Sequence, residues 1–132
     1  MGAVTPNIPG AESVVNWFGK WPSFHDAEIM TLHIDREQGA SSMRIRAFAL
    51  SDRTDSSGHF IRERDALVVF EFTGIRSMRI DGEDADVQNV ISSLQVEHVK
   101  DGYRLLLGPC YGMAGEIVVR ALKVRLESTI QP

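Results

Sequence analysis

The chain has 132 residues, of which 43% are hydrophobic and 24% are charged, and its formal net charge is −4. This length suits a single domain, and the average composition excludes an intrinsically disordered or collagen-like chain. The acidic balance argues against a nucleic-acid-binding protein, which needs a basic face.

The first ten residues contain two prolines and two glycines, and we expect a loose segment over residues 1–10 ahead of a single domain at 11–130. They have neither the basic nor the apolar part of a secretory signal. The single cysteine, Cys110, excludes an internal disulfide, and no apolar run reaches the ~18 residues of a membrane span. The sequence therefore predicts a cytoplasmic protein that does not bind a membrane.

A short helix is predicted from Ala11 to Phe18. Its apolar residues recur at spacings of three and four, which places them on one face: Val14, Val15, Trp17 and Phe18. Gly19 is expected to end the helix, because glycine adopts the left-handed C-cap conformation without steric cost. Pro22 prevents the helix from continuing.

The rest of the chain contains stretches that alternate between apolar and polar residues or are continuously apolar, as β-strands do. These stretches are residues 28–36, 43–50, 67–72, 75–80, 91–100, 103–107 and 116–127. Gly74, the polar segment 52–65 and the glycine-rich segment 108–115 are read as breaks or loops. No helices alternate with the strands, so parallel pairing is disfavoured. The prediction is an α+β fold: a short N-terminal helix packed on a curved, mostly antiparallel sheet of about seven strands.

Two details of the strands can be predicted. Asp101-Gly102 is a strong hairpin signal, because a type I′ turn needs positive φ at both central residues. In the last strand the apolar residues change parity between residues 117–121 and 122–126. This change predicts either a β-bulge near Ala121 or burial on both faces.

The densest polar cluster is His25, Asp26 and Glu28, where the chain enters the first strand. Imidazole and carboxylate groups suit zinc, and Asp26 and Glu28 would share one face of a strand. No cysteine and no paired histidine completes a ligand set, so we expect His25 or Asp26 to bond backbone groups at the helix-to-strand junction. The alternative is a metal- or small-ligand-binding domain centred on the three residues.

No catalytic signature is present: the chain lacks a nucleophile elbow, a P-loop and a dinucleotide-binding fingerprint. The acidic segment 81–86 does not have the ligand spacing of an EF-hand loop. Cys110 has no activating neighbour in the sequence and is expected to be a free thiol. We therefore predict that the protein is not an enzyme and uses neither a metal nor a cofactor.

Residues 16–29 read NWFGKWPSFHDAEI. This stretch resembles the N-terminal signature of the bacterial immunity-protein family numbered fifty, a short helix followed by Trp-Pro-x-Phe-His-Asp-x-Glu. The matching residues are Trp21, Pro22, Phe24, His25, Asp26 and Glu28. The resemblance implies a non-enzymatic protein that binds and neutralises a cognate bacterial toxin domain, and it leaves the oligomeric state open. Two loops are the expected partner-binding surfaces, the polar loop over residues 52–65 and the acidic loop with Asp81, Glu83, Asp84 and Asp86. The acidic loop is favoured for a basic toxin.

Overall fold

One helix and six strands make up the described part of the chain. The computed structural model describes residues 5–35, 37, 39–54, 56–58, 60–81, 90–111 and 114–130. Within these ranges, only the backbone is described for residues 49–54, 60–64, 109–111, 114 and 128–130. In chain order the elements are α1 (Ala11–Phe18), β1 (Ala27–His33), β2 (Ser41–Thr54), β3 (Phe60–Asp81), β4 (Val90–Val99), β5 (Gly102–Tyr111) and β6 (Ala114–Ile130).

The strands close into a barrel in the order β1-β2-β3-β6-β5-β4, with every neighbouring pair antiparallel. The predicted α+β class and the antiparallel, curved sheet are confirmed. The contact that closes the barrel, between β1 and β4, is short. It pairs Ala27 with Ile91 and Glu28 with Val90, and we call it the seam.

The strand count is six in the described residues and not about seven, because Gly74 does not end a strand. Gly74 has a φ of 68°, yet pairing with β6 continues from Thr73 on one side of it to Ile75 on the other. Before Gly74, β3 pairs with both β2 and β6; beyond it, β6 is its partner among the described strands. The long strands β3 and β6 thus bend from one part of the barrel into the other.

The change of parity in β6 lies at this bend. Arg120 and Ala121 are both exposed, and buried residues flank them on each side: Ile117 with Val119, and Leu122 with Val124. The nearest register shift is on β3, where Arg76 is the extra residue between Ile75 and Ser77. The bulge predicted in β6 near Ala121 is not observed, because Ala121 and Val119 stay in register with Thr73 and Ile75, and the extra residue lies on β3.

Two segments predicted to be loops are largely strand. The loop predicted over residues 52–65 is wrong, because β2 runs to Thr54 and β3 begins at Phe60, and these two residues pair with each other. The connection predicted over residues 108–115 is also too long, since β5 reaches Tyr111 and β6 begins at Ala114. Residues 112 and 113 lie outside the described residues.

The hairpin between β4 and β5 is confirmed, but its glycine has another role than the predicted one. Asp101 has a φ of 63°, whereas Gly102 lies outside the left-handed region and pairs with Val99 as the first residue of β5. A Cβ atom at Gly102 would lie 2.0 Å from the carbonyl oxygen of Val119. The close approach of β6 therefore requires glycine at this position.

The helix α1 has the predicted bounds. Gly19 has a φ of 84°, and its N–H donates to the carbonyl of Val15 at 2.7 Å, as expected of a C-cap. The buried residues Ala11, Val14 and Phe18 join the core formed by the inward side chains of the strands. Because α1 packs against β6 and β3, it covers an opening of the barrel.

The packed domain begins before Ala11. Ile8 is only 6% exposed and belongs to the core, and the N–H of Val124 donates to the carbonyl of Pro9 at 2.9 Å. The segment expected to be loose over residues 1–10 is thus packed from Ile8 onward.

Candidate functional site

The first half of the Trp-Pro-x-Phe-His-Asp-x-Glu motif is buried. Trp21 is 4% exposed and Phe24 is 1% exposed, and Pro22 between them is also buried. The two aromatic rings meet edge to face with their centroids 5.7 Å apart, and both contact Phe70 on β3, at 6.2 Å and 5.8 Å. Such pairs contribute about 0.5–1.5 kcal/mol beyond the area that they bury. This half of the motif anchors the chain in the barrel core.

The second half turns the chain outward. Phe24 and Asp26 have φ angles of 60° and 61°, in the left-handed region that residues other than glycine seldom adopt. The turn is closed by the N–H of Ala27, which donates to the carbonyl of Phe24 at 3.1 Å. As a result the Phe24 ring points into the core, while the side chains of His25 and Asp26 are exposed.

The same residues hold the seam of the barrel. The N–H of Asp26 donates to the carbonyl of Ile91 at 2.9 Å. Nδ1 of His25 lies 3.2 Å from the carbonyl oxygen of Ser92, a hydrogen bond when Nδ1 carries the proton. Together with the ladder pairs of Ala27 and Glu28, these contacts tie β1 to β4. The geometry of the motif supports a structural role at the closure of the barrel.

The three polar side chains of the motif do not converge. Nε2 of His25 lies 3.6 Å from a carboxylate oxygen of Asp26, and these side chains are 63% and 50% exposed. Asp26 precedes β1 and has a positive φ, so the two-residue alternation expected to place it beside Glu28 does not apply. Across the described residues, no three His, Cys, Asp or Glu side chains are grouped so that they could hold a metal ion.

Glu28 belongs instead to the outer face of the barrel. It pairs in the ladder with Arg46, whose guanidinium lies 3.0 Å from the carboxylate of Asp65. The hydrogen bond and the charge of Asp65 raise the pKa of Arg46 above its usual value, and the charge of Glu28 adds to this effect. Glu28 therefore contributes to a surface charge cluster.

Further ion pairs cover β2, β3 and β6, a surface that the sequence reasoning missed. Arg44 on β2 reaches across β3 to Glu127 on β6 at 2.5 Å, and Glu71 on β3 contacts Arg125 at 2.6 Å. The hydrogen bond from Arg125 lowers the pKa of Glu71. Val69 lies between Arg44 and Arg125 in the ladders and is 1% exposed. The methylene stems of the two arginines thus shield Val69, whose side chain faces outward. In the sequence, the alternating charged residues of β2 and β6 are the pattern that indicates such a charged outer face.

The chain matches the family model described as immunity protein 50 over residues 10–126. It belongs to this family. The matched range runs from the residue before α1 into the last third of β6, so the immunity protein 50 model spans the helix and the whole order of strands. No curated protein and no solved structure gives a significant match. No helix in the described residues is long and apolar enough to cross a membrane.

The acidic segment 81–86 of this immunity protein 50 member, predicted to be a partner-binding loop, lies mostly outside the described residues. Asp81 is the last residue of β3, with an exposed side chain 3.7 Å from Arg79. Glu83, Asp84 and Asp86 fall in the segment 82–89, which is outside the description, as is the side chain of Cys110. The predictions for the partner-binding loop and for the free thiol stay predictions.

Two substitutions of Asp26 can separate the contribution of its backbone conformation to stability from the contribution of its carboxylate. We expect Asp26→Ala to lower the free energy of unfolding by about 1 kcal/mol, because alanine tolerates a φ of 61° less well than aspartate. Asp26→Gly should stay within about 0.5 kcal/mol of the wild type, since glycine adopts this conformation freely. Urea unfolding of both variants measures the difference. Equal losses would show that the carboxylate, and not the backbone, matters.

Proposed function

We propose that the protein is a cytoplasmic, non-enzymatic immunity protein that binds and neutralises a cognate bacterial toxin domain. The observation that carries the proposal is the family match over residues 10–126, which includes the helix, the first five strands and most of β6. The motif supports it indirectly. The contacts of the motif residues with the core and the seam support a structural role for them. Under this proposal, other surfaces of the protein recognise the toxin.

The acidic loop is the proposed site of electrostatic attraction. Its four carboxylates, from Asp81, Glu83, Asp84 and Asp86, lie within six residues. The exposed side chain of Asp81, the last residue of β3, supports an accessible charge at the first of these positions. A basic toxin, such as a nuclease domain, would approach this charge faster than a neutral protein would. Salt screens the attraction, since the Debye length falls from about 10 Å at 0.1 M to about 3 Å at 1 M.

The test begins with the genes that neighbour the gene of this chain, among which the proposal expects one for the cognate toxin domain. Co-expression should restore the growth of cells that produce the toxin, and the purified proteins should form a complex. Conversion of the four carboxylates to amides should then slow association about tenfold at low salt, and the difference should shrink at high salt. Glu12→Gln with Asp101→Asn, at exposed sites outside the loop, is the control and should change the rate little.

The results of this test distinguish the proposed function from the proposed role of the acidic loop. Failure of the toxin and the protein to form a complex would contradict the proposed function. A complex whose association rate at low salt is unchanged in the four-amide variant would contradict only the role of the acidic loop.

A further inference from the structure

Leu106 is an apolar residue on the outer face of the barrel. Its neighbours Leu105 and Leu107 are 0% and 4% exposed and belong to the core, so the alternation of a strand turns Leu106 outward. In the ladders it pairs with Gln95 on β4 and with Glu116 on β6, and both of these residues are polar. The side chain of Leu106 is half-buried and supplies apolar contact area at the surface.

Leu106 lines an open hollow of about 330 Å³, together with Gly115 and three charged residues, Arg79, Asp81 and Glu116. Gly115 brings no side chain into the hollow, and a larger residue is excluded there because a Cβ atom would lie 1.8 Å from the carbonyl oxygen of Arg79. A water molecule takes up about 30 Å³ in the liquid, so the hollow has room for roughly ten non-hydrogen atoms. It can therefore receive one long side chain.

The two carboxylates of the hollow are loosely paired. Asp81 lies 3.7 Å from Arg79, and these two side chains are 76% and 83% exposed. Glu116 lies 3.6 Å from Nε of Arg104. Both distances are longer than a hydrogen bond, and exposed ion pairs of this kind are held weakly. The carboxylates of Asp81 and Glu116 therefore keep capacity to accept hydrogen bonds from an incoming donor.

The outer face over β2 and the neighbouring parts of β3 and β6 is different. There Glu127 contacts Arg44 at 2.5 Å, and Glu71 contacts Arg125 at 2.6 Å. Such short contacts between opposite charges are the strong ones. The outward residue Val69 is only 1% exposed. That face is satisfied by its own residues, whereas the hollow combines loosely paired carboxylates with an apolar surface.

The lining of the hollow favours a long basic side chain. Two carboxylates and one guanidinium leave one net negative charge, which a single cation would complement. In the described part of the chain no three His, Cys, Asp or Glu side chains are grouped for a metal ion. Arginine and lysine have an apolar stem, which can lie on Leu106, and a charged end, which can meet the carboxylates. Arginine fits better, because its planar guanidinium presents several donors and can bond two carboxylates at once.

A basic protein suits the hollow better than a second copy of this chain. The chain has a net charge of −4, so two copies repel each other. The hollow also includes Asp81, the first carboxylate of the acidic segment 81–86. We propose that an arginine or lysine side chain of the toxin domain enters this hollow, with its stem on Leu106 and its cation between Asp81 and Glu116. This inference rests on the proposed function and names one contact of the complex.

The dissociation rate of the complex tests the inference. Glu116→Gln keeps the shape of the side chain but removes its charge, and it should raise the rate at which the cognate toxin domain dissociates at least tenfold. Glu127→Gln is the matched control. It makes the same change on the same strand, at a side chain that is 35% exposed compared with 43% for Glu116, but its partner is Arg44. The control should change the dissociation rate less than twofold, and both variants should keep the urea midpoint of a folded protein.

The results distinguish this contact from the proposed function. A complex that dissociates at the wild-type rate in Glu116→Gln overturns the inference and leaves the proposed function standing. Equal effects of Glu116→Gln and Glu127→Gln would show that only net charge matters and would also overturn it. Absence of any complex overturns both.

Methyl NMR provides an independent measurement. The methyl resonances of Leu106 should shift when the toxin domain binds, while those of Val69, which is outward but 1% exposed, should not. A complex that shifts Val69 and leaves Leu106 unchanged overturns the inference. Sedimentation of the protein alone should show a monomer. A dimer that Glu116→Gln dissociates would place a second copy in the hollow and overturn the assignment to the toxin.

Discussion

Phe24→Ala should lower the free energy of unfolding by about 3–5 kcal/mol, the usual cost of truncating a fully buried phenylalanine. The ring is 1% exposed and contacts both Trp21 and Phe70. Its loss leaves a cavity beside β3 and removes two aromatic contacts. It also frees the turn that positions His25 and Asp26 against β4, so the seam should weaken as well. Guanidinium unfolding, followed by tryptophan fluorescence, measures the effect.

Two controls define what this loss would mean. Phe24→Leu keeps most of the volume and should cost about half as much or less. Met30→Ala changes a side chain that is 46% exposed on β1 and should stay within about 0.5 kcal/mol of the wild type. A loss below about 1 kcal/mol for Phe24→Ala would mean that the aromatic cluster is not tightly packed in solution.

The helix could be predicted to the residue because the signals that define it are local. The apolar spacing, Gly19 at the C-cap and Pro22 beyond it all act within a few residues of α1. The burial of Trp21, Pro22 and Phe24 also agrees with the local sequence, since large apolar residues close to a helix end favour burial.

The strand boundaries depended on partners that a sequence does not show. Gly74 has the positive φ typical of a turn, but β6 stays paired on both sides of it and keeps β3 continuous. Residues 52–65 are polar enough to suggest a loop, whereas the pairing of Thr54 with Phe60 extends the hairpin. Hydrophobic periodicity reports burial and not backbone pairing, so extended polar hairpins escape it.

The candidate site was only partly predictable for the same reason. The sequence places His25, Asp26 and Glu28 within four residues, but two left-handed residues turn the chain there and send Glu28 to the outer face with Arg46. A groove of about 530 Å³ is lined by residues 73–78 of β3 and by Ile34, Asp35, Glu37 and Gly39. No local pattern predicts this groove, because its two sides are more than thirty residues apart in the sequence.

Gly10→Ala should be the most destabilising glycine substitution at the ends of α1, lowering the free energy of unfolding by about 2–5 kcal/mol. Gly10 has a φ of 90°, and a Cβ atom there would lie 1.7 Å from the carbonyl oxygen of Val124 in β6. The left-handed backbone costs an alanine about 1–2 kcal/mol, and the displacement of a packed strand adds about 1–3 kcal/mol. The same displacement breaks the hydrogen bond from the N–H of Val124 to Pro9.

Gly19, at the other end of the helix, is the matched control for this clash. Its φ of 84° is nearly the same, but a Cβ atom there would meet nothing within 4 Å. Gly19→Ala should therefore cost only the backbone strain, about 1–2 kcal/mol. The difference between the two variants, measured by urea unfolding, isolates the contact between the N-terminal segment and β6. If both variants lose the same stability, the segment before α1 does not pack on β6, and the barrel opening there must be covered by α1 alone.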